Sequence, residues 1–367
     1  MRAKSHTTFI TQVIVGMLTL GLCGCTWFKK KAQAPSAPML HPTTERFINL
    51  YTWAQYTSPE ILGEFTRRTG IQVRESNYSS NEELLAKLQA GANGFDIVVP
   101  SDYMVTAMIK LGLIHEIDQS KIPNVRNLDK KFLGKAYDPD NKWSLPYAWA
   151  ITGIAVNTKA YPDPVTSWRD LLQNDKLKGR ISLLDDVREA MAAALKVNGL
   201  SLNATNKDDL NRAKLTLSEA KTRIKAFNST PLNLLSAGEV VMAQMYSGEA
   251  LVAARDSGKA ISFIIPKEGG TLSIDNMVIP KDAAHVEEAY ELINYFYEAT
   301  TQADFVKRML SGPVVTGTRA ILPAALQNNP IIYPSDEALS HCEMMRDLGD
   351  ATTEYDRIWA EIKANDH

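Results

Sequence analysis

The sequence carries almost no net charge. Its 367 residues include 40 Lys and Arg against 42 Asp and Glu, which gives a formal net charge of -2. Because no global basic field exists, we expect no attraction to nucleic acid. The chain is not strongly acidic either, so any preference for a cationic ligand must come from a local cluster of carboxylates.

The sequence also lacks the motifs of common enzyme classes. It has no P-loop, no dinucleotide-binding glycine fingerprint, no Gly-x-Ser-x-Gly elbow and no His-Glu-x-x-His. Histidines are scattered at positions 6, 41, 115, 285, 341 and 367 without metal-ligand spacing. We therefore expect no catalytic residue, no metal and no cofactor, although paired carboxylates in a cleft would also suit a glycoside hydrolase.

Long apolar runs are absent except near the amino terminus. Arg2 and Lys4 precede an apolar stretch over 9–22, shorter than the roughly 20 residues that a membrane-spanning helix needs. We interpret residues 1–24 as an export signal. Its end, Leu22-Cys23-Gly24-Cys25, resembles the bacterial lipobox, which implies that Cys25 is lipidated and begins the mature chain. A plain secretory signal or an uncleaved anchor is the alternative.

Residues 25–45 are the predicted lipidated cysteine and tether. A basic run at 29–31 is followed by a Pro- and Ala-containing stretch without periodicity, which is typical of a linker. Once Cys23 is removed and Cys25 is modified, only Cys342 remains in the globular part, so no internal disulfide is possible. We expect Cys342 to be a small buried or half-buried side chain rather than a reactive thiol.

From residue 47 onward, short apolar runs alternate with helical patterns, which predicts sheets covered by helices. Strands are predicted at 47–51, 71–73 and 95–100, with helices beginning after Ser58 and at Asn81. A second series predicts strands at 154–156 and 181–184 and helices at 168–172, 185–197 and 210–226. Right-handed crossovers make such sheets mostly parallel, and ligands bind at the carboxyl ends of their strands. The loops at 52–57 and 101–103 are therefore candidate binding loops.

Several motifs follow the order seen in the bacterial spermidine/putrescine-binding proteins. They are Tyr51-Thr52-Trp53-Ala54-Gln55-Tyr56, Thr69-Gly70-Ile71, Asp96-Ile97-Val98-Val99-Pro100-Ser101, Leu145-Pro146-Tyr147, Asp185-Asp186-Val187-Arg188-Glu189, Ala226-Phe227-Asn228-Ser229, Pro266-Lys267-Glu268-Gly269-Gly270 and Asp275. The resemblance covers nearly the whole mature chain. It implies an α/β solute-binding protein of type II with two lobes, each a mostly parallel sheet flanked by helices, and three hinge crossings.

On this resemblance, the first lobe comprises residues 46–149 and 274–312, and the second comprises 150–273 and 313–367. The crossings are expected near 146–152, 267–275 and 312–318. The resemblance further implies a monomer on the periplasmic or extracytoplasmic face of the membrane, held there by the lipid on Cys25. Such a protein delivers putrescine or spermidine to the permease of an ABC transporter.

A polyamine site needs carboxylates for the ammonium groups and aromatic faces along the methylene chain. Aromatic faces attract cations by ~0.5 to 2 kcal/mol each, and burying four methylenes adds about 3 kcal/mol at ~0.8 per group. Carboxylates must offset the cost of removing each ammonium from water. The acids therefore decide whether a cation enters, and the aromatics decide its shape.

The resemblance supplies the candidate ligand-binding residues. It implies one aromatic wall from Trp53 and Tyr56 and another from Tyr103, and it implies that Asp186, Glu189 and Asp275 bind ammonium groups. Ser229 is expected to make a polar contact, and Tyr246 stands where relatives often have tryptophan. Gln55 replaces an expected acid, and Asp102 can add a negative charge. From the residues alone, plain helix capping is the alternative for Asp186 and Glu189, and core packing is the alternative for Trp53 and Tyr56.

Three residues depart from the spermidine-binding pattern. Ser273 and Gly312 replace aromatics, and Met345 stands near an expected polar amide. Fewer walls and one acid less favour a shorter or differently posed ligand, which tips the prediction slightly toward putrescine. A receptor of the same fold for another small solute, or a ligand sensor or adhesin, is the alternative function. A ferric receptor would be expected to show adjacent tyrosines, and a maltodextrin receptor aromatics without clustered acids.

Overall fold

The computed structural model describes residues 45–54, 56–91, 94–258 and 260–364, which belong to one compact unit. The predicted export signal, Cys25, the tether and Gln55 lie outside the described residues. Within the described ranges, no helix combines the length and apolar character needed to cross a membrane.

The described part of the chain forms an α/β structure whose two largest hydrophobic cores define a first and a second lobe. In chain order, the first lobe begins with β1 (Phe47–Trp53), α1 (Pro59–Thr69), β2 (Gln72–Tyr78), α2 (Asn81–Gln89), β3 (Ile97–Val98) and α3 (Asp102–Lys110). After the crossing strand β4 (Leu145–Asn157), the second lobe contains α4 (Trp168–Leu172), β5 (Ile181–Leu183), α5 (Val187–Val197), α6 (Lys207–Ala220), β6 (Ile224–Phe227), α7 (Leu232–Ala237), β7 (Met242–Tyr246), α8 (Ser247–Ser257) and β8 (Ile261–Ile264). The remaining elements are β9 (Leu272–Met277), α9 (Val286–Phe296), α10 (Ala299–Met309), α11 (Thr318–Ile321), α12 (Ala324–Gln327), α13 (Asp336–Leu339) and α14 (Thr352–Ala364).

The first helix begins and ends where local chemistry predicts. The Ser58 side chain accepts a hydrogen bond from the Ile61 amide at 3.2 Å, and Pro59 occupies the first turn. Gly70 ends α1 in the left-handed conformation, with φ of 74°. At α2 the capping residue is Ser80 rather than the predicted Asn81. The Asn81 side chain instead accepts a hydrogen bond from the Ser101 amide at 3.1 Å, which fixes one of the candidate binding loops.

The sheet of the first lobe is parallel, and the sheet of the second lobe is mixed, because β4 pairs antiparallel with β7 and β8. The first has the strand order β2-β1-β3, and the second has the order β6-β5-β7-β4-β8, in which β6, β5 and β7 are parallel. The helix predicted at 210–226 was too long, because α6 ends at Ala220 and the following apolar residues form β6. Ile224 and Ala226 pair with Ile181 and Ser182 of β5, which satisfies their backbone groups in the sheet.

Two long strands connect the lobes side by side. The first half of β4 pairs antiparallel with β9, from Leu145 opposite Met277 to Ile151 opposite Leu272. The second half of β4 pairs with β7 and β8, beginning at Thr152 opposite Tyr246. The change of partners at Ile151 and Thr152 marks one crossing, and β9 provides the second.

The third crossing lies later in the chain than predicted. Val314, Val315, Leu322 and Ile332 are buried in the core of the first lobe, although the predicted boundary assigned residues 313–367 to the second lobe. The chain reaches the second lobe near Glu343, where Thr271 and Glu343 form a parallel bridge. The boundary at 312/313 is therefore corrected to about residue 340, because the apolar side chains after it complete the first core.

The first two crossings approach each other closely at Gly270, two residues before β9. A Cβ atom at this position would lie 1.9 Å from the carbonyl oxygen of Thr152. We expect Gly270→Ala to lower the free energy of unfolding by about 2 kcal/mol, because the crossings would have to separate. Urea unfolding of the ligand-free protein measures the change.

Gly63→Ala is the matched control. Gly63 lies in α1, is exposed, and an added Cβ would meet no atom within 4 Å. It should raise the free energy of unfolding by about 0.5 to 1 kcal/mol, since glycine is unfavourable inside helices. Similar effects of the two substitutions would contradict the tight approach at Gly270.

Candidate functional site

A cavity of about 340 Å³ lies between the lobes, beside the crossing strands β4 and β9. Eight of the ten predicted ligand-binding residues line it: Trp53, Tyr56, Asp102, Tyr103, Asp186, Glu189, Tyr246 and Asp275. The volume is at the lower end of the roughly 300 to 1,000 Å³ usual for small-molecule pockets. The space therefore suits a small organic ligand rather than a peptide or a long oligosaccharide.

The structure describes one of the other two predicted residues, and that residue is not at the cavity wall. Gln55 lies outside the described residues. Ser229 is exposed in the loop after β6, and Thr230 lines the cavity in its place. The Asn228 side chain accepts a hydrogen bond from the Thr230 amide at 2.7 Å, and this tight turn brings Thr230 rather than Ser229 to the cavity.

Asp275, near the middle of β9, is only 8% exposed. Its two oxygens accept hydrogen bonds from the Tyr56 hydroxyl and the Ser101 hydroxyl, both at 2.7 Å. A backbone bridge between Ser101 and Asp275 brings the loop after β3 against the crossing strand. Burial raises the pKa of the Asp275 carboxyl to about 6, although the two hydroxyl donors oppose this rise.

Glu189 and Asp186 stand at the start of α5. Glu189 is 4% exposed, and its oxygens accept hydrogen bonds from Thr152 at 3.0 Å and Thr271 at 2.9 Å, one residue from each crossing. Burial, followed by the charge of Asp186, raises the pKa of Glu189 to about 8. Asp186 also caps the helix, since one of its oxygens accepts from the amides of Arg188 and Glu189. Both interpretations of the Asp186 motif are therefore compatible, because capping occupies only Oδ1.

Asp102 lines the cavity, but both of its carboxylate oxygens accept hydrogen bonds from backbone amides. Its oxygens accept from its neighbour's amide, Tyr103 N, at 2.7 Å and from Ile274 N at 3.3 Å. Burial raises the pKa of this carboxyl to about 8. These contacts join α3 to β9, so Asp102 positions the cavity wall; a direct ligand contact stays a prediction.

Aromatic side chains form the walls between these acids. Trp53 donates from its indole nitrogen to the carbonyl of Val99 at 3.0 Å, and the Tyr103 hydroxyl donates to Glu82 at 3.0 Å. Burial raises the pKa of Tyr246, and the negative charges that raise it further are those of Glu189, Asp186, Glu249 and Asp275. The Tyr246 ring is therefore surrounded by carboxylates from α5, α8 and β9.

Glu249 is a cavity residue that sequence reasoning missed. It lies in the first turn of α8, three residues after Tyr246, and shares a helix face with the lining residues Val252 and Asp256. Its Oε2 atom is buried and accepts no hydrogen bond from the part of the chain that the structure describes. Burial alone raises the pKa of Glu249 to about 7. The signal in the sequence was helical spacing from Tyr246, which becomes usable only once the start of α8 is known.

Four of the acids that line the cavity have no salt-bridge partner among the described residues. Among the described residues, neither Asp186, Glu189, Glu249 nor Asp275 forms a salt bridge. Two arginines line the cavity, but Arg255 is paired with Asp256 at 2.6 Å and Arg308 with Glu60 at 3.2 Å. In the same ranges, no group of three or more His, Cys, Asp or Glu can hold a metal ion. The arrangement suits a cation that supplies its own hydrogen bonds, and no residue set within the described ranges is suited to a metal.

The three departures from the spermidine-binding pattern have different structural meanings. Ser273 and Met345 both line the cavity. Gly312 does not, because the Trp149 ring occupies the space that a side chain there would need, with Cε2 only 2.1 Å from a Cβ. The exchange at Gly312 therefore belongs to core packing, whereas Ser273 and Met345 affect the ligand volume.

Comparisons with known proteins agree with this geometry. Residues 60–334 match the family model described as bacterial extracellular solute-binding protein. The chain is 36% identical over 327 residues to the spermidine/putrescine-binding periplasmic protein of Salmonella typhimurium, which covers 88% of this chain and 93% of that protein.

Two solved structures are similar over most of the chain. A spermidine/putrescine ABC transporter protein from Listeria monocytogenes matches with a TM-score of 0.83 and 33% identity, over 87% of this chain and 99% of that one. The TpPotD lipoprotein of Treponema pallidum matches with a TM-score of 0.76 and 30% identity, over 86% and 99%. The predicted two-lobed fold of type II is confirmed.

The raised pKa of Glu189 predicts a pH-dependent stability. The folded chain holds this proton more tightly than the unfolded chain, whose carboxyl has the ordinary pKa of 4.5. Glu189 therefore favours folding below pH 4.5, and that contribution is lost as the pH rises through about 8. Glu189→Gln should not lose this contribution. Its free energy of unfolding relative to that of the wild type should therefore increase by more than about 1 kcal/mol as the pH rises from 5 to 8.

Urea unfolding of the ligand-free protein at both pH values measures this difference. Glu64→Gln is the control, because Glu64 is an acid whose pKa is lowered by Arg67 and which stays ionised throughout this window. Its difference from the wild type should stay constant from pH 5 to pH 8. A constant difference for Glu189→Gln as well would show that Glu189 ionises normally.

Proposed function

The chain belongs to the family of bacterial extracellular solute-binding proteins, and we propose that it is a polyamine receptor which delivers putrescine or spermidine to the permease of an ABC transporter. The names of the Salmonella and Listeria relatives support this proposal. The relatives are binding proteins, and no reaction is proposed for this chain.

The observation that carries the proposal is the set of four cavity carboxylates, Asp186, Glu189, Glu249 and Asp275, that form no salt bridge within the described ranges. Removing ionised carboxylates from water costs several kcal/mol each unless a counter-charge compensates. Burial raises the pKa values of Asp275, Glu189 and Glu249 to about 6, 8 and 7, so the surrounding protein does not fully offset the loss of water around them. A ligand with two or more ammonium groups supplies both the missing charge and the missing donors.

The walls select a slender ligand. Trp53, Tyr56, Tyr103 and Tyr246 present aromatic faces beside the acids. Methylene groups gain ~0.8 kcal/mol each on such surfaces, and the faces also attract cations. We assign Asp275 to one ammonium, and Asp186 with Glu189 to another, while Glu249 adds a third acidic position.

Ligand transfer follows from the two-lobed construction. Asp275 comes from the crossing strand β9 and the other three acids come from the starts of α5 and α8 in the second lobe, whereas three of the four rings come from the first lobe or its loops. A ligand that touches both sides stabilises the closed arrangement of the lobes, which the permease then recognises.

We assign the chain to the extracytoplasmic side of the membrane, with a lipid anchor at Cys25. The lipobox-like Leu22-Cys23-Gly24-Cys25 supports this assignment, as does the similarity to a lipoprotein of Treponema pallidum. Lipidation would place the binding unit next to its permease.

Calorimetric titration of the soluble mature chain tests ligand class. Putrescine and spermidine should bind, whereas ferric ion, maltose and basic amino acids should not. Asp275→Asn and Asp186→Asn should each weaken amine binding more than tenfold, because a charge-assisted hydrogen bond contributes about 1.5 to 3 kcal/mol. Asp185→Asn is the matched control, since this neighbouring acid pairs with Lys363 at 2.7 Å outside the cavity. Unchanged affinity in both cavity variants would refute the site assignment.

The anchor is tested by fractionation of cells that express the full chain. We expect the wild type in the membrane fraction, because its Cys25 can be acylated. Cys25→Ser cannot be acylated, so it should be found either as a soluble chain or as a precursor that keeps its signal. Cys342→Ser is the control and should stay with the membrane. Membrane association of a processed Cys25→Ser chain would contradict lipidation at this position.

A further inference from the structure

Arg188 is a buried cation that the proposed function does not yet use. It lies in α5 between the cavity acids Asp186 and Glu189, and it is 3% exposed. Its guanidinium donates to the carbonyl of Arg346 at 3.1 Å and to the Asn203 side chain at 3.3 Å. The remaining nitrogen, Nε, is buried without a hydrogen-bond partner in the described ranges. A buried guanidinium left partly unsatisfied needs another source of stabilisation.

That stabilisation comes from aromatic rings. The guanidinium carbon lies 5.4 Å from the ring centroid of Tyr103 and 5.4 Å from that of Tyr355. Both distances fall within the ~6 Å range of cation-π attraction, which is strongest where water is excluded. Tyr355 belongs to the same lobe as Arg188, whereas Tyr103 belongs to the first lobe and lines the cavity.

Tyr103 is the point where the first lobe touches α5. Its ring packs on a small apolar cluster of Ala192, Leu202 and Met345, all from the second lobe or the third crossing. Its hydroxyl is held from the other side by Asn81 at 3.1 Å and Glu82 at 3.0 Å, both in α2 of the first lobe. The contact with Arg188 therefore exists only while the lobes are together.

We propose that Arg188 is a positioning residue that clamps Tyr103 against the second lobe and so slows the escape of a bound polyamine. The clamp rests on the proposed function, because it acts on the aromatic wall of that site. Arg188 also contacts the third crossing, because it donates to the carbonyl of Arg346, whose amide donates to the Asn203 side chain at 2.8 Å. One side chain therefore contacts both the first lobe, at Tyr103, and the third crossing, at Arg346.

Simple electrostatics and the clamp predict opposite changes in ligand affinity when Arg188 is replaced by a neutral residue. A positive charge beside a site for cations should repel the ligand, so its removal should strengthen binding. The clamp predicts weaker binding after its removal, because the closed arrangement loses a contact between the lobes.

The experiment measures association and dissociation rates of putrescine and spermidine on the purified full-length chain by stopped-flow fluorescence. Trp53 lines the cavity and serves as the internal reporter. Arg188→Met should raise the dissociation rate about tenfold and change the association rate less than about threefold. Arg188→Lys, which keeps the charge but not the planar stacking group, should give an intermediate rise. Arg212→Met, an exposed arginine of α6 paired with Asp209, is the control and should match the wild type.

A double-mutant cycle separates the clamp from a general structural role. In a Tyr103→Leu background, Arg188→Met should raise the dissociation rate less than about threefold, because the ring it grips is gone. An undiminished effect there, or tighter binding by Arg188→Met, would overturn the clamp. If Arg188→Met fails to fold, the same cycle with Arg188→Lys decides. A wild type that binds neither amine would overturn the proposed function itself, and the clamp would fall with it.

Discussion

The site depends on carboxylates that are held away from water before any counter-charge arrives. Glu189 and Asp275 are fixed by hydroxyl donors, which orient their oxygens without neutralising them. Hydroxyl groups from threonine, serine and tyrosine provide hydrogen bonds but no positive charge. An arginine in their place would supply the positive charge that these acids lack. In the proposed function, the cost of burying these carboxylates without a counter-charge is what favours a cationic ligand.

The crossing strands are what make these acids act together. Thr152 lies on β4, Thr271 immediately precedes β9, and both hydroxyls reach Glu189 of α5. Asp275 is part of β9 itself and pairs with Ser101 of the first lobe. The acids proposed to bind the ligand are consequently attached to the segments that connect the two lobes.

Sequence patterns predicted the fold class and most of the cavity, and their failures have physical causes. Alternating apolar runs indicate burial but not which core a side chain joins, so Val314 and Ile332 were assigned to the wrong lobe. The Asx turn at Asn228 decides between Ser229 and Thr230, and motif order contains no information on that turn. Glu249 becomes a cavity residue only through the helical face that it shares with Val252. Motif resemblance identifies residues within the matched motifs, and Glu249 lies outside all of them.

The charges at the cavity edge explain why a polyamine suits the site better than a basic amino acid. A lysine or arginine ligand carries an α-carboxylate, which would need a cation or a free donor to replace its water. Arg255 is engaged with Asp256 and with the carbonyls of Lys307 and Arg308, and Arg308 is paired with Glu60. An α-carboxylate would therefore face four carboxylates without a free arginine among the lining residues. An aliphatic amine with positive charge at both ends avoids this repulsion, and its uncharged middle matches the rings between the acids.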